Sequence, residues 1–97
     1  VIMILSVKDE FARAHNIYET DSQVVTHLNI RANEEIPSHK STMNVIVVIY
    51  EGEVEFTENE DTYNIKPGDI VQMNPNTPHS LKAIIDSKLM VIKSDLK

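Results

Sequence analysis

Cysteine is absent from the 97 residues, which removes disulfides, thiolate metal sites and cysteine nucleophiles together. Any metal this chain holds must be held by histidine and oxygen. Positive charge is scarce: nine Lys and Arg against 15 Asp and Glu leave a net charge of −6. That balance opposes association with phosphate backbones or anionic lipid. Long apolar runs are missing too. Val1–Leu5 falls short of the roughly 7–15 residues of a signal-peptide core and has no basic flank ahead of it, so a soluble, cytoplasmic protein is expected. There is no Gly-rich phosphate loop, no nucleophile elbow and no pair of carboxylates at interior parity, which sets aside nucleotide binding and hydrolase chemistry. What is present is 41% apolar residues without repeats or Ser/Gly linkers. This is the composition of one folded domain rather than a disordered chain.

The first 23 residues read as an N-terminal extension and residues 24–97 as the domain proper. Lys8–Ala14 carries helix formers with acids early and Arg13 late, which predicts a short helix. From Val24 the pattern is β. Val24, Thr26, Leu28 and Ile30 share one parity and predict a buried face, which leaves His27, Asn29 and Arg31 toward solvent. Val45–Tyr50 is apolar at six consecutive positions, as in a strand covered on both faces. Glu51-Gly52 predicts a reversal into a hairpin with Glu53–Thr57, Glu58–Asp61 a polar turn, and Lys66–Asp69 a turn built on Pro67 and Gly68. Thr62–Ile65, Ile70–Met73, His79–Ile85 and Leu89–Lys93 supply further short strands. Seven or eight strands at even spacing, with no helix between them, predict an all-β sandwich or barrel and exclude a parallel βαβ sheet. The acidic stretch Glu51–Asp61 lacks the spacing of a calcium loop and reads as a solvated hairpin.

Over roughly residues 24–93 the chain resembles the cupin superfamily, which implies a jelly-roll barrel. The spacing of the first family motif falls on Asn33, His39, Ser41, Val45 and Gly52, and that of the second on Gly68, Asn74, Asn76, His79 and Ala83. Four of these ten positions (His39, Gly52, Gly68 and His79) carry the family residue, and every interval is kept. The stretch GDIVQMNPNTPHSL is similar to the turn and strand that deliver the second-motif histidine. Asn33 and Asn76 stand where the family has glycine, and Asn tolerates a left-handed backbone best after Gly, so both turns are expected to survive.

In metal-binding members the resemblance assigns ligands to the positions of His39, Ser41, Val45 and His79. Ser41 and Val45 replace a histidine and a carboxylate. An isopropyl group donates nothing and a neutral hydroxyl is a poor ligand, so the standard centre is not expected to form. What remains is a two-histidine interior site with ligand-facing residues His39, Ser41, His79, Val47, Met73 and Leu81. The reading favours a small-ligand-binding barrel over an enzyme, with no cofactor. The alternative is a metal-dependent dioxygenase or isomerase in which His39 and His79 weakly bind Zn²⁺, Ni²⁺ or Fe²⁺, completed by Ser41, Asn44, Asn74 or water. A structural or regulatory dimer with an empty barrel is the third. The expected partners are a small molecule and a second copy of the chain, since the doubly apolar Val45–Tyr50 needs an outer cover and Val1–Ser6 could add an edge strand to the partner.

Overall fold

The computed structural model describes residues 1–95 and is all-β. Leu96 and Lys97, the end of the expected barrel, lie outside the described residues. The strands are β1 (Ala14–Glu19), β2 (Gln23–Ile30), β3 (Glu35–His39), β4 (Asn44–Glu51), β5 (Val54–Glu58), β6 (Asp61–Ile65), β7 (Ile70–Met73), β8 (His79–Ala83) and β9 (Ser87–Ser94). They build two antiparallel sheets, one in the order β1-β2-β9-β4-β7 and one in the order β3-β8-β5-β6. Between them lies the core. The larger sheet contributes Leu28, Ile30, Val45, Val47, Ile49, Leu89 and Val91, and the smaller one Val54, Phe56, Ile65, Leu81 and Ala83. The period-2 alternation read in β2 is therefore the alternation between this core and the outside.

Two strands escape the sequence pattern. β3 contains Pro37 and shows no alternation, which is tolerated because it lies at a sheet edge, where a missing N–H breaks no ladder. β1 lies inside the stretch read as an extension, and it pairs with β2 as the outer strand of the larger sheet. The helix expected over Lys8–Ala14 does not form. The Asp9 carboxylate accepts hydrogen bonds from the backbone N–H of Phe11 at 3.2 Å and of Ala12 at 3.1 Å, and strand begins at Ala14. That is the bonding of a helix N-cap, but too few residues follow to carry the helix on, and the chain leaves the turn as strand.

The expected β4–β5 hairpin is also corrected, because the two strands belong to different sheets. Gly52, at φ +94°, turns the chain from one sheet to the other, and a Cβ there would lie 2.2 Å from Ser87 Oγ. Ser87 fastens this corner: its Oγ accepts from Glu53 N at 3.1 Å and lies within donating distance of Ile85 O at 2.8 Å. By contrast β5 and β6 do form a hairpin, with Asn59 at φ 54° in its turn. Asn33 and Asn76 adopt φ of 70° and 65°, as their substitution for glycine predicted.

The outer face of the larger sheet departs most from expectation. Cross-strand register sets His15 beside His27, His27 beside Met90, Met90 beside Val48 and Val48 beside Ile70. In the adjacent row Val25, Ile92 and Ile46 are neighbours. This face is thus largely apolar. Ile46, Tyr50 and Ile70 are 39%, 46% and 65% exposed on it, so within one chain β4 is covered on its inner face only. His27 was expected in solvent and is instead fully buried, with Nε2 2.5 Å from Tyr50 Oη. The turn following Asp9 covers it: Asn29 Nδ2 donates to Glu10 O, and Lys88 lies between Glu10 at 3.8 Å and Glu51 at 3.7 Å. His15 is half-buried, and its Nε2 is buried without a hydrogen-bond partner among the described residues.

Candidate functional site

His39 ends β3 and His79 begins β8, and the antiparallel register sets the two directly opposite one another. An irregularity in β3 between Ile36 and His39 is what brings the histidine to that position. Their rings meet edge to face with centroids 4.2 Å apart. Local backbone holds each ring. His39 Nδ1 is 3.0 Å from the Pro37 carbonyl and His79 Nδ1 is 2.9 Å from that of Thr77. A carbonyl only accepts, so both Nδ1 atoms carry the proton, and in the neutral rings both Nε2 atoms keep a lone pair. No hydrogen bond among the described residues uses either Nε2.

The two motif segments are tied together below the histidines. Asn76 N donates to Ser41 O at 2.7 Å, Thr77 Oγ1 donates to Asn74 O at 2.8 Å, and Ser41 Oγ accepts from Met43 N at 3.1 Å. The left-handed Asn76 makes the first of these bonds possible by reversing the chain just ahead of His79. Phe56 stacks on His79 with ring planes 8° apart and centroids at 5.7 Å. His79 is 7% exposed. Its burial disfavours the charged ring and lowers its pKa below 6.5, more than the neighbouring charges of His39 and Lys93 do.

His39, Ser41, Phe56 and His79 line a cavity of about 310 Å³ between the sheets. Its walls are mostly apolar: Leu28, Ile36, Val45, Val47, Phe56, Leu81 and Val91. Polar groups enter from Asn16, Thr26, Ser41, His39, His79 and Lys93, with Thr26 Oγ1 donating to Asn16 Oδ1 at 2.7 Å. Of the six ligand-facing residues expected, His39, Ser41, His79, Val47 and Leu81 line this space and Met73 does not. Met73 points inward and is buried, yet β7 is the strand beyond β4, so its side chain fills core beside Val45 instead. The lining residues that sequence reasoning missed have legible signals in hindsight. Lys93 continues the inward parity of Leu89 and Val91, and Phe56 that of Val54. Asn16 had none, since its strand was read as part of the N-terminal extension.

The sequence profile of the cupin domain family matches residues 26–93. The chain belongs to the cupin family. The fold agrees with many solved cupins at low sequence identity. An RmlC-like cupin from Desulfovibrio desulfuricans superposes with a TM-score of 0.81 at 21% identity, covering 96% of this chain and 98% of that one. An RmlC-like cupin with a double-stranded β-helix fold from Methanocaldococcus jannaschii gives 0.78 at 24%, covering 98% and 92%. KdgF from Halomonas gives 0.80 at 14%, covering 98% and 88%. No curated protein matches the sequence.

As a cupin, this chain departs from the metal-binding pattern in its donor set. No group of three or more His, Asp or Glu side chains is placed to hold an ion among the described residues. Val45, at the carboxylate position, is buried and lines the cavity as hydrocarbon. Two imidazoles and a serine hydroxyl already bonded to Met43 N do not match the three-ligand sets of catalytic zinc or mononuclear iron. The residues present do not fit the standard cupin centre.

Proposed function

We propose that this cupin holds a small molecule of mixed polarity in the cavity beneath His39 and His79, without a standard metal centre and without catalysing a reaction on it. The observation that carries this reading is the cavity itself: an apolar chamber of about 310 Å³ into which only a few polar groups converge. That is the ordinary composition of a small-molecule site, at the small end of the range of roughly 300–1,000 Å³. Cytoplasmic residence belongs to the same reading and rests on a cysteine-free, acidic chain in which no described helix is long and apolar enough to cross a membrane.

A ligand-observed NMR screen of small metabolites should find binders. His39→Phe and His79→Phe should keep the fold by circular dichroism and lose those binders. Unchanged binding in both variants would remove the site. The metal-dependent alternative is favoured by one observation, that the Nδ1 of each ring donates to a backbone carbonyl and leaves Nε2 free to act as a ligand. Elemental analysis of untagged protein, with titration of Zn²⁺, Fe²⁺ and Ni²⁺ into wild type and a His39→Ala/His79→Ala variant, separates the two. Weak binding is expected, and a stoichiometric, sub-micromolar metal lost in the double variant would replace the ligand-holding reading.

We further propose that the apolar outer face of the larger sheet is covered by a second copy of the chain. The support is chemical matching within one sequence. Ile46, Tyr50 and Ile70 are exposed on that face, and Val1–Leu5 is an exposed apolar segment of the same chain.

A further inference from the structure

The charge of the cavity narrows the class of ligand. Its lining contains Lys93, His39 and His79 and not one of the acids of an otherwise acidic chain. Glu58, the acid paired with His79 in register, is exposed and outside the lining. Among the described residues Arg13, Arg31 and Lys88 each have a carboxylate within 4 Å, and Lys8, Lys40, Lys66 and Lys82, which have none, are exposed; Lys93 is half-buried on the cavity wall and has no ion-pair or hydrogen-bond partner. An unpaired ammonium on the wall of an apolar cavity is a partner for an anionic group of whatever enters it.

We propose that the ligand is a small hydroxycarboxylate: its carboxylate pairs with Lys93, its hydroxyl donates to an imidazole Nε2, and its hydrocarbon body lies against Leu28, Val47 and Phe56. This rests on the ligand-holding reading above and adds the chemical class. A lone lysine without arginine suits one carboxylate better than a phosphate, which is ordinarily met by several donors. The two Nε2 acceptors call for a donor on the ligand, because a bare anion facing both lone pairs gains nothing from either. The apolar walls exclude a polyanion.

The test uses three matched probes, 2-hydroxyhexanoate, hexanoate and 1,2-hexanediol, titrated by NMR or calorimetry into the full chain and into Lys93→Met and Lys93→Arg. The hydroxy acid is expected to bind tightest and the diol weakest. Lys93→Met should weaken both acids by about tenfold to a hundredfold and leave the diol unchanged, with Lys93→Arg recovering much of the loss. Thermal melts of the variants verify that each is folded, and Lys93→Arg keeps the test decisive if Lys93→Met unfolds. A diol that binds as tightly as the acids, or acids indifferent to Lys93→Met, would overturn the carboxylate assignment and leave the ligand-holding cavity standing. No binding of any probe at millimolar concentration would remove the hydroxycarboxylate assignment, and if the metabolite screen on the wild type also finds no binder, the ligand-holding reading falls with it.

Discussion

His27 illustrates how a single side chain couples this fold to pH. It is buried against Tyr50 on one side and beneath the turn carrying Glu10 on the other, with Lys88 and His15 close by. Burial is the largest effect and lowers its pKa below 6.5, the charges of Lys88 and His15 add to it, and Glu10 opposes them. The unfolded chain therefore binds a proton at a pH where the folded chain does not. Stability is intact above pH 6.5 and falls as the pH drops from there through the depressed folded value. Melting temperatures taken between pH 7.5 and 5 should decline for the wild type. The decline should be shallower for His27→Phe, with a remainder owed to His79, which is shifted in the same direction. Equal slopes would show that His27 is protonated as readily in the fold as out of it. Nothing in the sequence signalled this burial. Parity correctly put His27 on the face opposite Leu28 and Ile30, but a period of two says which residues share a face and not what covers it.

At the level of elements, the informative feature is the corner between β4 and β5. Gly52 and Gly68 both adopt positive φ, yet only at Gly52 would a side chain meet the neighbouring strand, whereas Gly68 has open space around it. Gly68→Ala should cost about 1–2 kcal/mol, from backbone conformation alone. Gly52→Ala adds a collision with the backbone of Asp86 and Ser87 and should cost about 3 kcal/mol or more. Urea denaturation of both variants checks the order, and equal losses would mean that the β8–β9 connection yields without resistance. Strands with alternating or β-branched sequence, such as Gln23–Ile30, Ile70–Met73 and Ser87–Ser94, were legible to within a residue or two. β1 and β3 were not, because one follows an Asp-capped turn that mimics a helix start and the other is interrupted by Pro37. Sheet membership was likewise hidden: a Glu-Gly pair between two strands marks a reversal, and only tertiary packing decides whether the reversal makes a hairpin or a change of sheet. The site was legible through His39 and His79, whose motif spacing holds, and illegible in Lys93 and Asn16, which belong to no motif.

For the whole molecule, the exposed apolar face of the larger sheet is the ground of the proposed pairing with a second copy. Sedimentation equilibrium at micromolar concentration should report a dimer, and Ile46→Lys with Ile70→Lys should yield monomer without loss of the cavity, since both residues lie on the face opposite it. A monomeric wild type would sink the second-copy reading. The strand order has a different consequence, in time rather than in space. β9 lies between β2 and β4, and both of those strands precede it in the chain. During synthesis β2 and β4 must therefore wait with unpaired edges until residues 87–94 emerge, and Lys93 completes the cavity only then. A ribosome that pauses before those residues holds a chain with two open sheet edges, the state in which strand-rich proteins are most exposed to mispairing.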